Sequence, residues 1–308
     1  MKKFIGSVLA TTLILGGCST MENESKKDTN TETKSVPEEM EASKYVGQGF
    51  QPPAEKDAIE FAKKHKDKIA KRGEQFFMDN FGLKVKATNV VGSGKGVEVF
   101  VHCDDHDIVF NASIPFDKSI IDSDSSLRSE DKGDDMSTLV GTVLSGFEYR
   151  AQKEKYDKLY KFFKYNEEKY QYTGFTKEAI NKTQNSGYEN EYFYISTIPY
   201  NLTEYRNYFE PLLNKSNSEF SKEMSNVKKQ LKDKSKVSVT TTLFSKNKNY
   251  TKKSNSENVI KMAEEIKKEK DLPTDIDFSI QFSDNKINTI KPNYSSKDNS
   301  EYGVFDNE

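Results

Sequence analysis

The stretch Gly96-Val97-Glu98-Val99-Phe100-Val101-His102-Cys103-Asp104-Asp105-His106-Asp107-Ile108-Val109-Phe110-Asn111-Ala112-Ser113-Ile114 decides the fold class. Val97, Val99 and Val101 recur at every second position, and so do Ile108, Phe110, Ala112 and Ile114. A period of two puts one face of a strand on an apolar core. With a turn at Asp104-Asp105, Val101 is expected opposite Ile108, Val99 opposite Phe110 and Cys103 opposite His106. Phe100 and Val109 break the alternation but share the other face, which is therefore expected to be partly covered. Parity sends Cys103 inward with Val101 and His102 outward.

Helical periodicity flanks this hairpin. Ala58, Ala62, Ile69 and Phe76 fall on one helix face, broadened by Phe77 and Phe81, and the helix is expected to run to Gly82. Gly92-Ser93-Gly94-Lys95-Gly96 reads as a turn; it lacks the Gly-Lys-Ser/Thr ending and the helix a phosphate loop needs. Residues 117–135 hold seven carboxylates and read as a solvated acidic loop. Asp122-Ser123-Asp124 lacks the Gly and Glu of a calcium loop, so no metal is expected there. A long helix over 137–165 bears two stripes, Val140/Leu144/Phe147 and Tyr156/Leu159/Tyr160/Phe163, on nearly opposite sides, which calls for a break near Gln152 or packing on two sides.

Farther along, Tyr192 to Tyr200 is rich in aromatic and β-branched residues and reads as a strand. Ser216 with Glu219 and Ser254 with Glu257 read as capping boxes opening helices, the second stopped by Pro273. Val237 to Phe244 is a strand. Ile276, Phe278, Ile280 and Phe282 alternate, turn at Asp284-Asn285 and return through Ile287; the tail 292–308 is polar. Strands arriving in hairpins favour an α+β fold, antiparallel hairpins and sheets packed with amphipathic helices, over a doubly wound sheet. Phe110–Asp117 echoes Tyr194–Asn201 at an offset of 84 residues. Two related helix-plus-sheet units, 54–135 and 136–291, are one reading of that echo; a chance match of eight positions is the other.

The N-terminus has a different character. Lys2 and Lys3 precede an apolar run, Phe4 to Leu15, too short for the roughly 20 residues of a spanning helix. It ends in Leu15-Gly16-Gly17-Cys18, which resembles a bacterial lipobox. The resemblance implies a signal peptide over 1–17, a diacylglyceryl thioether on Cys18, and attachment to the outer face of the cell membrane, where two acyl chains hold stably and one does not. Residues 18–53 read as the lipidated cysteine and a flexible tether, since the chain there has hardly any large apolar residue. Coil statistics give it a reach of roughly 30 Å.

Composition excludes several functions. The 308 residues carry 49 acidic and 47 basic side chains, and loss of the leader removes two lysines, so no nucleic-acid partner is expected. Two cysteines are too few for a disulfide framework or a four-thiolate zinc site. No nucleotide fingerprint, Ser-centred elbow or zinc-protease helix is present, and no cofactor is expected. With 20 Phe, 16 Tyr and no Trp, aromatic rings supply much of the core. Twelve of the tyrosines lie between Tyr149 and Tyr208, which reads as structural filling or as a recognition surface for protein or wall glycan. His65 falls on the apolar face of the first helix. Cys103 and His106, as cross-strand neighbours, would form a thiolate–imidazole dyad or half of a metal site, with no third group to complete either.

The lipobox, the polar tether and the Lys/Asn/Tyr-rich body together resemble an uncharacterised staphylococcal-type lipoprotein family of unknown function. That family implies localisation and no activity. The expected function is a lipid-anchored, non-enzymatic binding module of the cell envelope. The alternative is a cysteine-dependent or metal-assisted hydrolase centred on Cys103 and His106.

Overall fold

The computed structural model describes residues 36–123, 125–130, 136–231, 237–248, 252–292 and 300–304, with the backbone alone at 252–255. After β1 (Glu39–Glu41), helices α1 (Lys56–Lys64) and α2 (Lys66–Phe81) form the expected amphipathic stripe, but in two pieces that break at His65. Gly82, at φ 65°, terminates α2 in the left-handed conformation that glycine takes without strain. Ile69, Phe76, Phe77 and Phe81 are buried against β2 (Val85–Ser93), β3 (Gly96–Cys103) and β4 (Phe110–Phe116), an antiparallel meander in that order. Gly73 sets the closeness of helix to sheet, because a Cβ there would fall 2.6 Å from Val99 Cγ1.

The hairpin faces are as expected; its register is not. Val99 pairs with Ile114, Val101 with Ala112 and Cys103 with Phe110. The connection is the longer segment Asp104–Val109, containing a 3-10 turn Asp105–Asp107. The slip relative to the expected register is an even number of residues, so every side chain keeps its face. Cys103 and His106 are consequently not cross-strand partners.

The second long helix is α3 (Ser137–Ala151) followed by α4 (Lys153–Tyr170), broken at Gln152. The break explains the two stripes: Val140, Leu144 and Phe147 enter the core of the first sheet, whereas Tyr156, Leu159 and Phe163 enter that of the second. Because α3 serves the first sheet, the cores do not divide the chain at 135/136. β5 (Tyr172–Thr173), α5 (Lys177–Thr183), β6 (Phe193–Ser196) and α6 (Leu202–Glu204) follow; a π turn Tyr205–Phe209 and a 3-10 turn Glu210–Leu212 then lead to α7 (Asn217–Gln230), opened by the Ser216/Glu219 capping box.

β7 (Val237–Thr241) and β8 (Leu243–Ser245) are one line of chain interrupted at Thr242, and both run parallel to β9 (Ile276–Ser283) with the same offset, Val237 opposite Ile276 and Leu243 opposite Phe282. α8 (Lys252–Ile266) connects them, starting two residues before Ser254. β6 and β5 flank that line antiparallel, and β11 (Ser300–Gly303) flanks β9. The fold is α+β; among the described residues it has two antiparallel sheets, the meander and a two-stranded pair, and one mixed sheet.

Four expectations are corrected. Ile287 lies in β10 (Lys286–Asn288), which pairs with β1 instead of returning on β9. That pairing draws residues 36–53 out of the expected tether: Ala42 and Tyr45 are buried, and Tyr45 Oη donates to Thr289 O at 3.0 Å. Within the expected tail, Val304 is buried and donates its N–H to Phe278 O. The 84-residue echo matches no repeated unit, since β4 edges an antiparallel meander and β6 flanks a parallel pair. Cys18 and the leader lie outside the described residues.

Candidate functional site

The hairpin that decided the fold has a second, polar face. Glu98, Phe100 and His102 on β3 lie beside Pro115, Ser113 and Asn111 on β4. α5 and the chain after it partly cover this face. Thr88 Oγ1 donates to Asn181 O and Asn89 Nδ2 to Lys182 O (2.9 Å), while the Phe50 ring stands edge-on to Phe100 at 5.3 Å. Gly187, at φ 118°, exchanges backbone hydrogen bonds with Asn111, and a Cβ on it would lie 2.2 Å from Ser145 Oγ. Only glycine fits there, and its fit brings Asn185 over the sheet.

On this platform Ser113 Oγ donates to Glu98 Oε1 at 2.6 Å and accepts from Asn185 Nδ2 at 2.7 Å. One rung along, His102 Nδ1 is 3.0 Å from Asn111 Oδ1; an amide oxygen is an acceptor only, so Nδ1 is the donor of this bond. Ser113, Glu98 and His102 are half-buried. The serine is bonded to the carboxylate without an intervening imidazole, so the group lacks the Ser–His relay of acyl transfer. What it offers is a fixed array of a carboxylate, a hydroxyl, an amide and an imidazole. Sequence reasoning sent His102 to this face and passed over Glu98, Asn111, Ser113 and Asn185; the signal available for the first three was their parity along β3 and β4, and none marked Asn185.

The sequence-expected dyad is not assembled. Cys103 is fully buried, its Sγ–H donates to Lys84 O at 3.6 Å, and burial pushes the thiol up to about 12. A thiolate is the reactive form, and at neutral pH this sulfur stays protonated. His106 sits in the turn at φ 53°, with Nε2 3.8 Å from Asp105 Oδ2. Asp107, also left-handed, pairs with Lys153 at 3.0 Å, which holds its carboxyl below the usual range. His65 stacks on Phe61 at 4.4 Å. No group of three His, Cys, Asp or Glu among the described residues could hold a metal ion.

The tyrosines are mainly interior. Tyr149 stacks on Tyr188 at 4.0 Å, and Tyr156, Tyr172 and Tyr192 fill the core of the mixed sheet. Their hydroxyls are bonded inside: Tyr149 to Asp157 at 2.8 Å, Tyr192 to Glu167 at 2.7 Å, Tyr156 to Glu148 at 3.5 Å. Burial, and then the neighbouring carboxylates, raise the phenols of Tyr156 and Tyr192 above the ordinary value. These rings are packing; the recognition-surface reading does not apply to them.

A family model described as a protein of unknown function, DUF1672, matches residues 32–308. The chain belongs to the DUF1672 family. A crystal structure of a DUF1672 family protein from Staphylococcus aureus subsp. aureus Mu50 is 69% identical with a TM-score of 0.87, covering 89% of this chain and 100% of that one. Among curated proteins none matches. The DUF1672 likeness thus extends over the whole described fold and brings no assigned activity.

Proposed function

We propose that this DUF1672 protein is a lipoprotein held to the outer face of the cell membrane through Cys18, and that its folded body is a non-enzymatic binding module of the cell envelope. The observation that carries the reading is the lipobox Leu15-Gly16-Gly17-Cys18 behind a basic and then apolar leader. Seventeen residues, 19–35, separate Cys18 from the first described residue, and fully extended chain of that length spans at most about 60 Å. The body is therefore leashed within the wall zone. No described helix is long and apolar enough to cross a membrane.

The array of half-buried Glu98, Ser113 and His102 with exposed Asn185 and buried Asn111 is the part of the body that supports binding, because it presents hydrogen-bonding groups of both signs on a rigid sheet. The buried, protonated Cys103 argues against a thiol-dependent hydrolase. Radiolabelled palmitate is expected to enter the wild type in cells and not Cys18→Ser; label in neither, with the protein released to the medium, refutes the anchor. Crosslinking on intact cells is expected to trap a specific partner with the wild type and much less with Glu98→Gln/Ser113→Ala. Equal recovery with both removes the platform from the reading.

A further inference from the structure

Two arginines are buried to the same degree, each 6% exposed, and they differ in one respect. Arg150 on α3 is saturated: Nε donates to Asn217 Oδ1, Nη1 to Leu213 O and Nη2 to Lys215 O, with the Phe220 ring 4.1 Å from its Cζ. Arg72 on α2 uses only Nη1, which donates to Gln75 Oε1 at 2.7 Å and to Ser125 O at 2.9 Å. Among the described residues its Nε and Nη2 are buried with no hydrogen-bond partner. Neither bond it makes goes to a carboxylate. A buried guanidinium without a counter-charge is costly, and native interiors rarely leave one so.

The open atoms are not arbitrary. Nε and Nη2 form the side-on edge of the guanidinium, whose two parallel N–H groups match the two oxygens of a carboxylate or phosphate. The guanidinium lies beside the chain at 125–130, whose Ser125 O accepts from Nη1 and which lies along α2 through polar contacts. Asp79 Oδ2 accepts from Leu127 N (2.8 Å) and Ser126 Oγ (3.1 Å), Asn80 Nδ2 donates to Leu127 O (2.9 Å), and Asn80 Oδ1 accepts from Ser129 N (2.7 Å). Arg206 Nη1 donates to Ser129 O at 3.1 Å from the far side. Leu127 is the only apolar side chain of this segment, and Ser125, Ser126 and Arg128 are exposed. Lifting such a segment exchanges hydrogen bonds with water and exposes little apolar surface. A reversible opening is thus available to a small ligand.

We infer that Arg72 is the receptor for a small oxyanion, a carboxylate or phosphate group, bound bidentately on its Nε–Nη2 edge beside the 125–130 segment. The inference rests on the binding-module reading, to which it adds a ligand class, and the two fail separately: an absent anion response leaves palmitate labelling and envelope crosslinks untouched.

The test is thermal unfolding of the detergent-solubilised full chain, titrated with inorganic phosphate or with acetate at constant ionic strength, chloride making up the balance. At about tenfold its dissociation constant the cognate anion is expected to raise the wild-type Tm by about 3 °C, saturably. Arg72→Met is expected to lose that response, with a Tm in chloride no lower than wild type. Arg72→Lys, which keeps the charge but not the fork, is expected to retain less than half of it, and stands in if Arg72→Met does not fold. The anion that saturates at lower concentration tells phosphate from carboxylate. Equal shifts in wild type and variants would mean an adventitious ion only and would overturn the inference. So would the absence of a shift with both probes in the wild type.

Discussion

The two cores of this DUF1672 protein are built differently. Around the β2–β3–β4 meander, Phe76, Phe77, Phe81, Phe110 and Phe147 pack with Val97, Val99 and Val101, and the strands pair with their neighbours in sequence. Around the mixed sheet, Tyr149, Tyr156, Tyr172, Tyr188 and Tyr192 join Phe163, Phe193, Phe278 and Phe282, and strands far apart in the chain meet. A buried phenol needs a partner for its hydroxyl, so the second core carries acceptors: Asp157, Glu148 and Glu167. One core is specified by shape and period, the other by shape plus a set of polar pairings.

Truncating a fully buried ring tests both cores at once. Phe77→Ala in the first and Tyr156→Ala in the second are each expected to cost about 3–5 kcal/mol in urea titrations, through lost burial and the cavity left behind. A single transition is expected in both variants, because α3 and α4 follow one another across Gln152 and serve one core each; two separated transitions would break the comparison. Next comes the junction itself. Lys228 holds Glu148, whose side chain is only 4% exposed, at 2.9 Å. Lys228→Met leaves that carboxylate with Gln152 and Tyr156 as donors and is expected to cost roughly 2–3 kcal/mol, less than the usual loss for breaking a buried pair.

Gly187→Ala should destabilise by about 1–3 kcal/mol, since a positive φ and a clash with Ser145 act together. Chemical denaturation checks the size. Weaker crosslinking in that variant would tie the loop to the polar platform. A finer contrast comes from removing one oxygen: Tyr192→Phe strips Glu167 of a donor and is expected to cost about 1 kcal/mol. A neutral outcome would mean that this polar pairing adds nothing to the ring packing of the second core.

The smallest effect at neutral pH concerns Cys103. Its folded value, about 12, lies above the ordinary 9.0, so the folded protein keeps a proton that the unfolded chain sheds. Its contribution is complete below about 9 and declines by about 1.4 kcal/mol per pH unit until about 12. Urea midpoints measured from pH 8 to 10.5 should fall less steeply in Cys103→Ala. In the native wild type at pH 8, iodoacetamide should leave Cys103 unmodified; rapid alkylation would restore the thiol to candidate chemistry.

Much of the first core was legible because it is local. Alternation at Val97, Val99 and Val101 named the buried face, opposed stripes placed the break at Gln152, and the Ser216/Glu219 box placed the start of α7. Register was less accessible: periodicity fixes parity, whereas the length of the Asp104–Val109 connection fixes which residue faces which, and that moved His106 away from Cys103. Arg72 was invisible among 47 basic residues, since nothing in a sequence shows which guanidinium atoms find acceptors.

By itself the sequence determined the α+β class, the faces of the hairpin and the helix stripes, because each follows from residue spacing within one element. The tertiary structure alone decided that β1 closes on β10, that β7 and β9 run side by side, that the tyrosines face inward, and that Arg72 Nε and Nη2 are buried without a partner among the described residues. Those are contacts between residues far apart in the chain. Their free energy depends on which partners packing brings within hydrogen-bonding distance, a quantity no local pattern encodes.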